Sequence, residues 1–131
     1  SLLAGYASKP TGSDKTYADH FKEVMDEQTK LITIGGVFSQ EDAEAAIKDT
    51  AADLVAIGRG TLIDPLFGYK IQTGQGAEIV HEISPEQLKN SQLTPGLLEV
   101  FSRKDSGGLP PLPGHDSITH LHTGKYGDEG Q

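Results

Sequence analysis

The 131-residue chain contains no cysteine. It therefore has no disulfide framework, no zinc–thiolate site and no thiol nucleophile, and a reducing, cytoplasmic setting is expected. Positive charge is also scarce, with 11 Lys and Arg against 19 Asp and Glu, for a net charge of −8. The electrostatic footprint of a nucleic-acid binder or an anionic-membrane binder is missing. Arginine occurs only as Arg59 and Arg103. No apolar run approaches the roughly 20 residues of a membrane span, and the opening residues carry no signal-peptide pattern. Two catalytic signatures are absent as well. There is no Gly-x-Ser-x-Gly elbow, and Gly58, Arg59 and Gly60 run on to Ile63 without completing a Gly-x-Gly-x-x-Gly dinucleotide loop. Length sets a further bound, because a complete eight-unit α/β barrel needs roughly 250 residues. Hydrophobic residues make up 35% of the chain, so only a modest core is expected. The chain opens on Ser1 and an apolar run without an earlier partner, and its only methionine is Met25. An excerpt from a longer protein is the expectation.

What is present is concentrated in residues 1–80, where helical and strand periods alternate as in a parallel α/β sheet or barrel. After the turn-forming cluster at 9–14, Tyr17, Phe21, Val24, Met25 and Gln28 fall at helical spacing, with Ser13 or Asp14 as the expected cap. Leu31, Ile32, Thr33 and Ile34 then read as a buried parallel strand ending at Gly35 and Gly36. Ser39 and Asp42 spell a helix start close to a capping box, ahead of Ala43, Ala46 and Ile47 on one face. A second strand, Leu54 to Ile57, stops at Gly58 and Arg59, and Asp64 and Pro65 read as the cap and first residue of another helix whose apolar side is Leu66, Phe67 and Ile71. Beyond the break at Gly74 to Gly76, the Ser84–Pro85 and Thr94–Pro95 pairs mark short accessory surface helices within 81–103. Residues 104–131, rich in Gly, Pro and His, read as an extended or mobile tail.

The chemistry-bearing pattern is the pair of glycine-terminated strands. Glycine lets a backbone approach a ligand and turns amide N–H groups outward. In barrels of alternating strands and helices, phosphate commonly sits between the loops after the seventh and eighth strands. Arg59 adds a full charge there, with a planar fork that matches two phosphate oxygens. The structural alternative is a pair of tight turns with Arg59 bonded to a carboxylate such as Asp53 or Asp64. Elsewhere the signals are weaker. His115, His120 and His122 could grip a metal, but the stronger reading is a solvated tail. Glu41, Asp42 and Glu44 suit the first turn of a helix rather than acid–base work.

Three stretches carry a family resemblance. They are Ile34, Gly35, Gly36 and Val37 followed by Asp42 and Ala43; then Ala52 through Arg59; then Leu62, Ile63, Asp64 and Pro65. Together they resemble the C-terminal part of the old yellow enzyme family, NAD(P)H-dependent flavin oxidoreductases built on a TIM (β/α)8 barrel with bound FMN. The match is clearest over residues 31–67, and its most specific element is Gly-Arg-x-x-x-x-Asp-Pro from Gly58 to Pro65. The resemblance implies that residues 1–80 supply about the seventh and eighth strand–helix units. Gly35 and Gly36 would then meet the FMN phosphate from one strand end, and Gly58 and Arg59 from the next. It also implies a small-molecule, electron-poor acceptor and NADH or NADPH as reductant. The family's catalytic side chains lie on earlier strands that this chain does not contain, so no catalytic residue is assigned. Arg103 is a further candidate, reaching from the tail towards flavin or substrate. Two other readings stay open: a different phosphate-binding barrel without flavin, and a non-catalytic module. With two strands only, self-association or assembly with the missing barrel portion is expected.

Overall fold

The computed structural model describes residues 5–125. The first helix, α1, is Tyr17–Val24 and is capped by Thr16. Ser13 and Asp14 were the expected caps, but Thr16 completes a reciprocal pair of bonds. Its hydroxyl accepts from the Asp19 N–H at 3.2 Å, and the Asp19 carboxylate accepts from the Thr16 N–H at 2.9 Å. The other carboxylate oxygen of Asp19 accepts from the Ala51 N–H at 2.8 Å, which ties α1 to the chain entering the second strand. The Ser13 hydroxyl instead lies 2.7 Å from the His20 ring.

Strands β1 (Ile32–Ile34) and β2 (Leu54–Ala56) pair in parallel with Ile32 opposite Leu54, Thr33 opposite Val55 and Ile34 opposite Ala56. They form a two-stranded sheet, β1 starting one residue later and β2 ending one residue earlier than the sequence reading. Helix α2 (Gln40–Lys48) connects them, and Ser39 caps it by accepting from the Asp42 N–H. Asp42 turns back one residue beyond the N-cap, its carboxylate accepting from the Phe38 N–H at 3.0 Å rather than from the Ser39 N–H of a full capping box. Side chains alternate across a strand. On the covered face Val55 packs with Ile57, Ala43 and Ile71 around buried Val37, Ala46, Phe67 and Ile79. On the other face Ile32, Ile34 and Leu54 are 53–61% exposed. The apolar side of α1 is open too, since Tyr17, Phe21 and Val24 are exposed and Ala18 alone is buried in that helix.

After β2 the chain turns into α3 (Arg59–Ile63) and α4 (Phe67–Gln72). Asp64 does not cap α4 as expected. Its carboxylate accepts from the Leu66 N–H at 3.0 Å, from the Val80 N–H at 3.0 Å and from Lys70 Nζ at 2.6 Å, so it stitches this corner together while only 2% exposed. Helices α5 (Leu88–Ser91) and α6 (Pro95–Ser102) follow, the latter with Thr94 as cap and a proline in its first turn.

Two expectations for the C-terminal part are corrected. The 81–103 helices are not merely superficial, because Ile83 and Phe101 are buried in a second cluster with Ile63, Leu112 and Ile118. Nor is 104–125 a free tail. Leu112 and Ile118 are 1% and 0% exposed, and short 3-10 turns at Ser106–Gly108, His115–Ser117 and Thr119–Leu121 fold the segment back on α6. Backbone and side-chain bonds fix it: Ile83 N–H donates to the Pro113 carbonyl at 2.8 Å, and the Ser117 hydroxyl donates to the Ile83 carbonyl at 3.1 Å. Gly114 makes this close approach possible, since a Cβ there would lie 2.3 Å from the Ile83 carbonyl oxygen and its φ is +83°. The segment is secured by single apolar residues and polar ties, and no helical or strand period betrays it in the sequence. The remainder of the expected tail, 126–131, lies outside the described residues. Among the described residues no helix is long and apolar enough to cross a membrane.

Candidate functional site

The C-terminal ends of β1 and β2 lie side by side because the strands are parallel and in register, so the loops that follow them face the same space. A cleft of about 290 Å³ opens there. Gly35, Gly36, Gly58 and Arg59, all picked out from the sequence, line it together, along with Ile34, Val37 and Phe38. Gly35 and Gly36 have φ of +104° and +76°, a left-handed turn that a side chain would strain. The turn is held from behind by Tyr6, whose N–H donates to the Gly35 carbonyl at 2.9 Å. Burial, and after it the Asp42 carboxylate, pushes the Tyr6 phenol above its ordinary pKa. At Gly58 an added Cβ would meet nothing within 4 Å, so this side of the cleft is unobstructed.

Arg59 is half-buried at the start of α3. Its Nη1 donates to the Pro111 carbonyl at 2.9 Å, and its guanidinium carbon lies 5.1 Å from the centroid of the Phe38 ring. The carboxylates that the structural alternative would pair with it are engaged elsewhere: Asp53 with Lys22 at 2.5 Å, and Asp64 with Lys70 at 2.6 Å. The Lys22 bond, with the backbone N–H of Leu31, holds the Asp53 carboxyl below the ordinary aspartate value; at Asp64 burial pushes the other way, and the Lys70 bond together with the N–H groups of Val80 and Leu66 outweighs it. Arg59 is thus the cation of the cleft, with no carboxylate among the cleft's lining residues.

The rest of the lining was not legible as a site. Leu62, Phe101, Leu109 and Pro110 reach it from three different parts of the chain. Leu62 lies in the Leu62 to Pro65 stretch of the resemblance without being read as a site residue, and Phe38, also unread, could have been found from its position two residues after Gly36. The lining combines one cation and open glycine turns with apolar walls, which suits a ligand with an anionic end and an apolar body. It includes no carboxylate, histidine or hydroxyl side chain to serve as acid or base.

The other candidates fall outside the cleft. Arg103 Nε is 3.2 Å from Asp105, and the Arg103 carbonyl is 2.6 Å from His115 Nε2. His122 Nδ1 lies 3.1 Å from the Glu99 carbonyl, so two of the three clustered histidines face separate partners. Among the described residues no group of His, Asp and Glu is arranged to hold a metal ion.

Comparison with known proteins gives one informative likeness. Over 65 residues, half of this chain, the sequence is 32% identical to bilirubin reductase of Mediterraneibacter gnavus (strain CC55_001C). The matched stretch is 10% of that protein, so the chain corresponds to about a tenth of the relative's length. No family model matches the chain, and no solved structure matches it. At a coarse level the chain is similar to a redox enzyme.

Proposed function

We propose that this chain is the phosphate-binding portion of an FMN-dependent oxidoreductase barrel of the old yellow enzyme type, contributing its last two strand–helix units. The observation that carries the reading is the convergence of Gly35, Gly36, Gly58 and Arg59 in one cleft at the ends of two paired parallel strands. The likeness to a reductase over half the chain supports the same direction.

FMN fits what the residues offer. Its phosphate matches the guanidinium fork of Arg59 and the side-chain-free turns at Gly35, Gly36 and Gly58. Its flat, largely apolar ring system matches walls made by Ile34, Val37, Phe38 and Leu62. When bound, the flavin supplies hydride transfer from NADH or NADPH to an electron-poor acceptor. The residues of this chain bind and orient one end of the cofactor and exclude water along one side. Proton donation and substrate positioning belong to residues outside it. The relative's name makes bilirubin its substrate; here the acceptor is proposed only as a small conjugated molecule. The open faces of β1, β2 and α1 are proposed to meet the rest of the barrel or, in its absence, a second copy of the chain.

The test is a parallel fluorescence titration with FMN and riboflavin, repeated on Arg59→Ala. FMN is expected to bind at least about tenfold more tightly than riboflavin, as loss of a charge-assisted phosphate contact implies, and the substitution is expected to erase the difference. Equal affinity for the two flavins, or no binding of either, rejects a preformed phosphate cup in this chain.

A further inference from the structure

Arg59 is bracketed from two sides. Beneath it is the Phe38 ring from the loop after β1; beside it is the Pro111 carbonyl, 52 residues further along the chain. Pro111 belongs to a short strap, residues 109–111, of which Leu109 and Pro110 form part of the cleft wall. The strap is anchored at both ends. Upstream, the Leu109 N–H donates to the carbonyl of buried Ser106 at 3.1 Å. Downstream, Leu112 is 1% exposed in the second core cluster, and the Pro113 carbonyl accepts from the Ile83 N–H at 2.8 Å. Its two successive prolines have fixed φ and no N–H of their own, so the Pro111 carbonyl is presented by a stiff segment.

We infer that this strap is a working part of the anion site, a positioning element that fixes the Arg59 guanidinium for the ligand and is itself latched by Arg59. The inference rests on the reading of Arg59 as the anion-binding cation. A guanidinium has five N–H donors in a planar fork. The single bond from Nη1 to Pro111 leaves the other donors for two anion oxygens, so strap and ligand engage the same group without displacing each other. The Phe38 ring and the Pro111 carbonyl together restrict the orientations of the side chain, and ordering lost before binding is not lost again on binding. Coupling of this kind is reciprocal: a ligand held by Arg59 also orders the strap. The second core cluster thereby bears on the cleft, although only Phe101 of its buried residues lines it.

Two measurements on the full chain decide the matter. The first is amide hydrogen exchange on the wild type and Arg59→Ala, with no ligand present. The reporters are the Leu109 N–H, bonded to Ser106, and the His115 N–H, bonded to Leu112; the Ala43 and Asp49 N–H groups of α2 report on the fold. Exchange at Leu109 and His115 is expected to accelerate at least tenfold while the α2 amides hold. A change below twofold at the strap overturns the latch. The second is the flavin titration on Pro110→Gly/Pro111→Gly, which keeps the carbonyl and removes the stiffness. FMN affinity is expected to fall fivefold or more with riboflavin affinity unchanged; a general loosening of the cleft lowers both alike and counts against positioning. If the wild type prefers FMN and the double variant keeps that preference in full, the strap has no positioning role and the phosphate cup stands. If the wild type shows no preference for FMN, the proposed function and the strap's role towards an anion fall together, and unligated exchange then only decides whether the latch exists.

Discussion

The two halves of the molecule solve the burial problem differently. Around Ile63, Ile83, Phe101, Leu112 and Ile118, five residues from separate segments are each at most 6% exposed, and the chain closes the cluster by folding its last described turns over α6. Around β1, β2 and α1 one side is packed and the other bare, with Phe21 at 58%, Ile34 at 61% and Val24 at 83% exposure. A sheet of two strands cannot cover both of its faces, and isolated two-stranded sheets are marginal in water. The contrast separates described residues that bury their apolar side chains within this chain from described residues that leave them exposed. The cleft sits at the seam: β1, β2 and their loops provide the glycines and Arg59, while the closed cluster sends Phe101 and, through the strap, Leu109 and Pro110 to its wall.

The largest effect is expected from opening the closed half. Ile118 is 0% exposed, and Ile118→Ala removes three carbons from a site whose neighbours Phe101 and Leu112 are held by their own backbones. A loss of about 3 kcal/mol is expected, combining lost transfer energy with the cavity left behind. Urea denaturation followed by far-ultraviolet circular dichroism measures it. A loss below about 1 kcal/mol would mean that the C-terminal turns contribute little to the core.

Acid tests the closed half on a finer scale. Glu99, 4% exposed on α6, accepts from the Thr123 hydroxyl, from the Thr123 N–H at 3.0 Å and from the Gly124 N–H at 3.0 Å, with His122 Nδ1 3.1 Å away. The Thr123 hydroxyl bond, followed by those backbone amides and His122, holds its carboxyl below the ordinary value despite the opposing effect of burial. A carboxylate with a depressed folded pKa adds stability that is fully present above its unfolded pKa, about 4.3 for glutamate, and is lost as pH falls through the folded value. The clamp on Thr123 and Gly124 is therefore intact at neutral pH and released in acid. Exchange at those two amides, corrected for intrinsic rates, is expected to rise on acidification in the wild type. In Glu99→Gln it is expected to be fast already at pH 7. Equal protection in the two proteins at pH 7 would show that the carboxylate charge does not hold the segment.

How far these features are legible in the sequence follows the same division. Local signals survive: the Ser39 cap with Asp42, the glycines ending both strands, and Arg59 beside Gly58 all come from residues within a few positions of one another. Where two local signals compete, the reciprocal pair wins, which is why Thr16 with Asp19 caps α1 in place of Ser13 or Asp14. What escapes is the long-range part. Leu112 and Ile118 are single apolar residues among glycine, proline and histidine, without a period to mark them, yet each is at most 1% exposed in the cluster. The Pro111 carbonyl that meets Arg59 carries no side-chain signal at all. Half of the cleft is thus readable as a motif, and the other half exists only after the chain returns to it.

The smallest expected change in stability tests the open half. Ile32 and Leu54 face each other across the strand pair on the bare side, at 57% and 53% exposure. Ile32→Ser/Leu54→Ser removes apolar surface that already contacts water, so the cost to the isolated fold is expected to be about 1 kcal/mol or less, in line with exposed positions generally. Association should respond much more strongly than stability. If the bare sheet face is what joins copies of this chain, sedimentation velocity at micromolar concentration will show an associating wild type and a monomeric double variant. A monomeric wild type, or unchanged association in the variant, would mean that the exposed apolar face tolerates water on its own. The closed half would then be sufficient to keep the whole chain folded, and the contrast between the two halves would be one of solvent exposure alone, not of a missing partner.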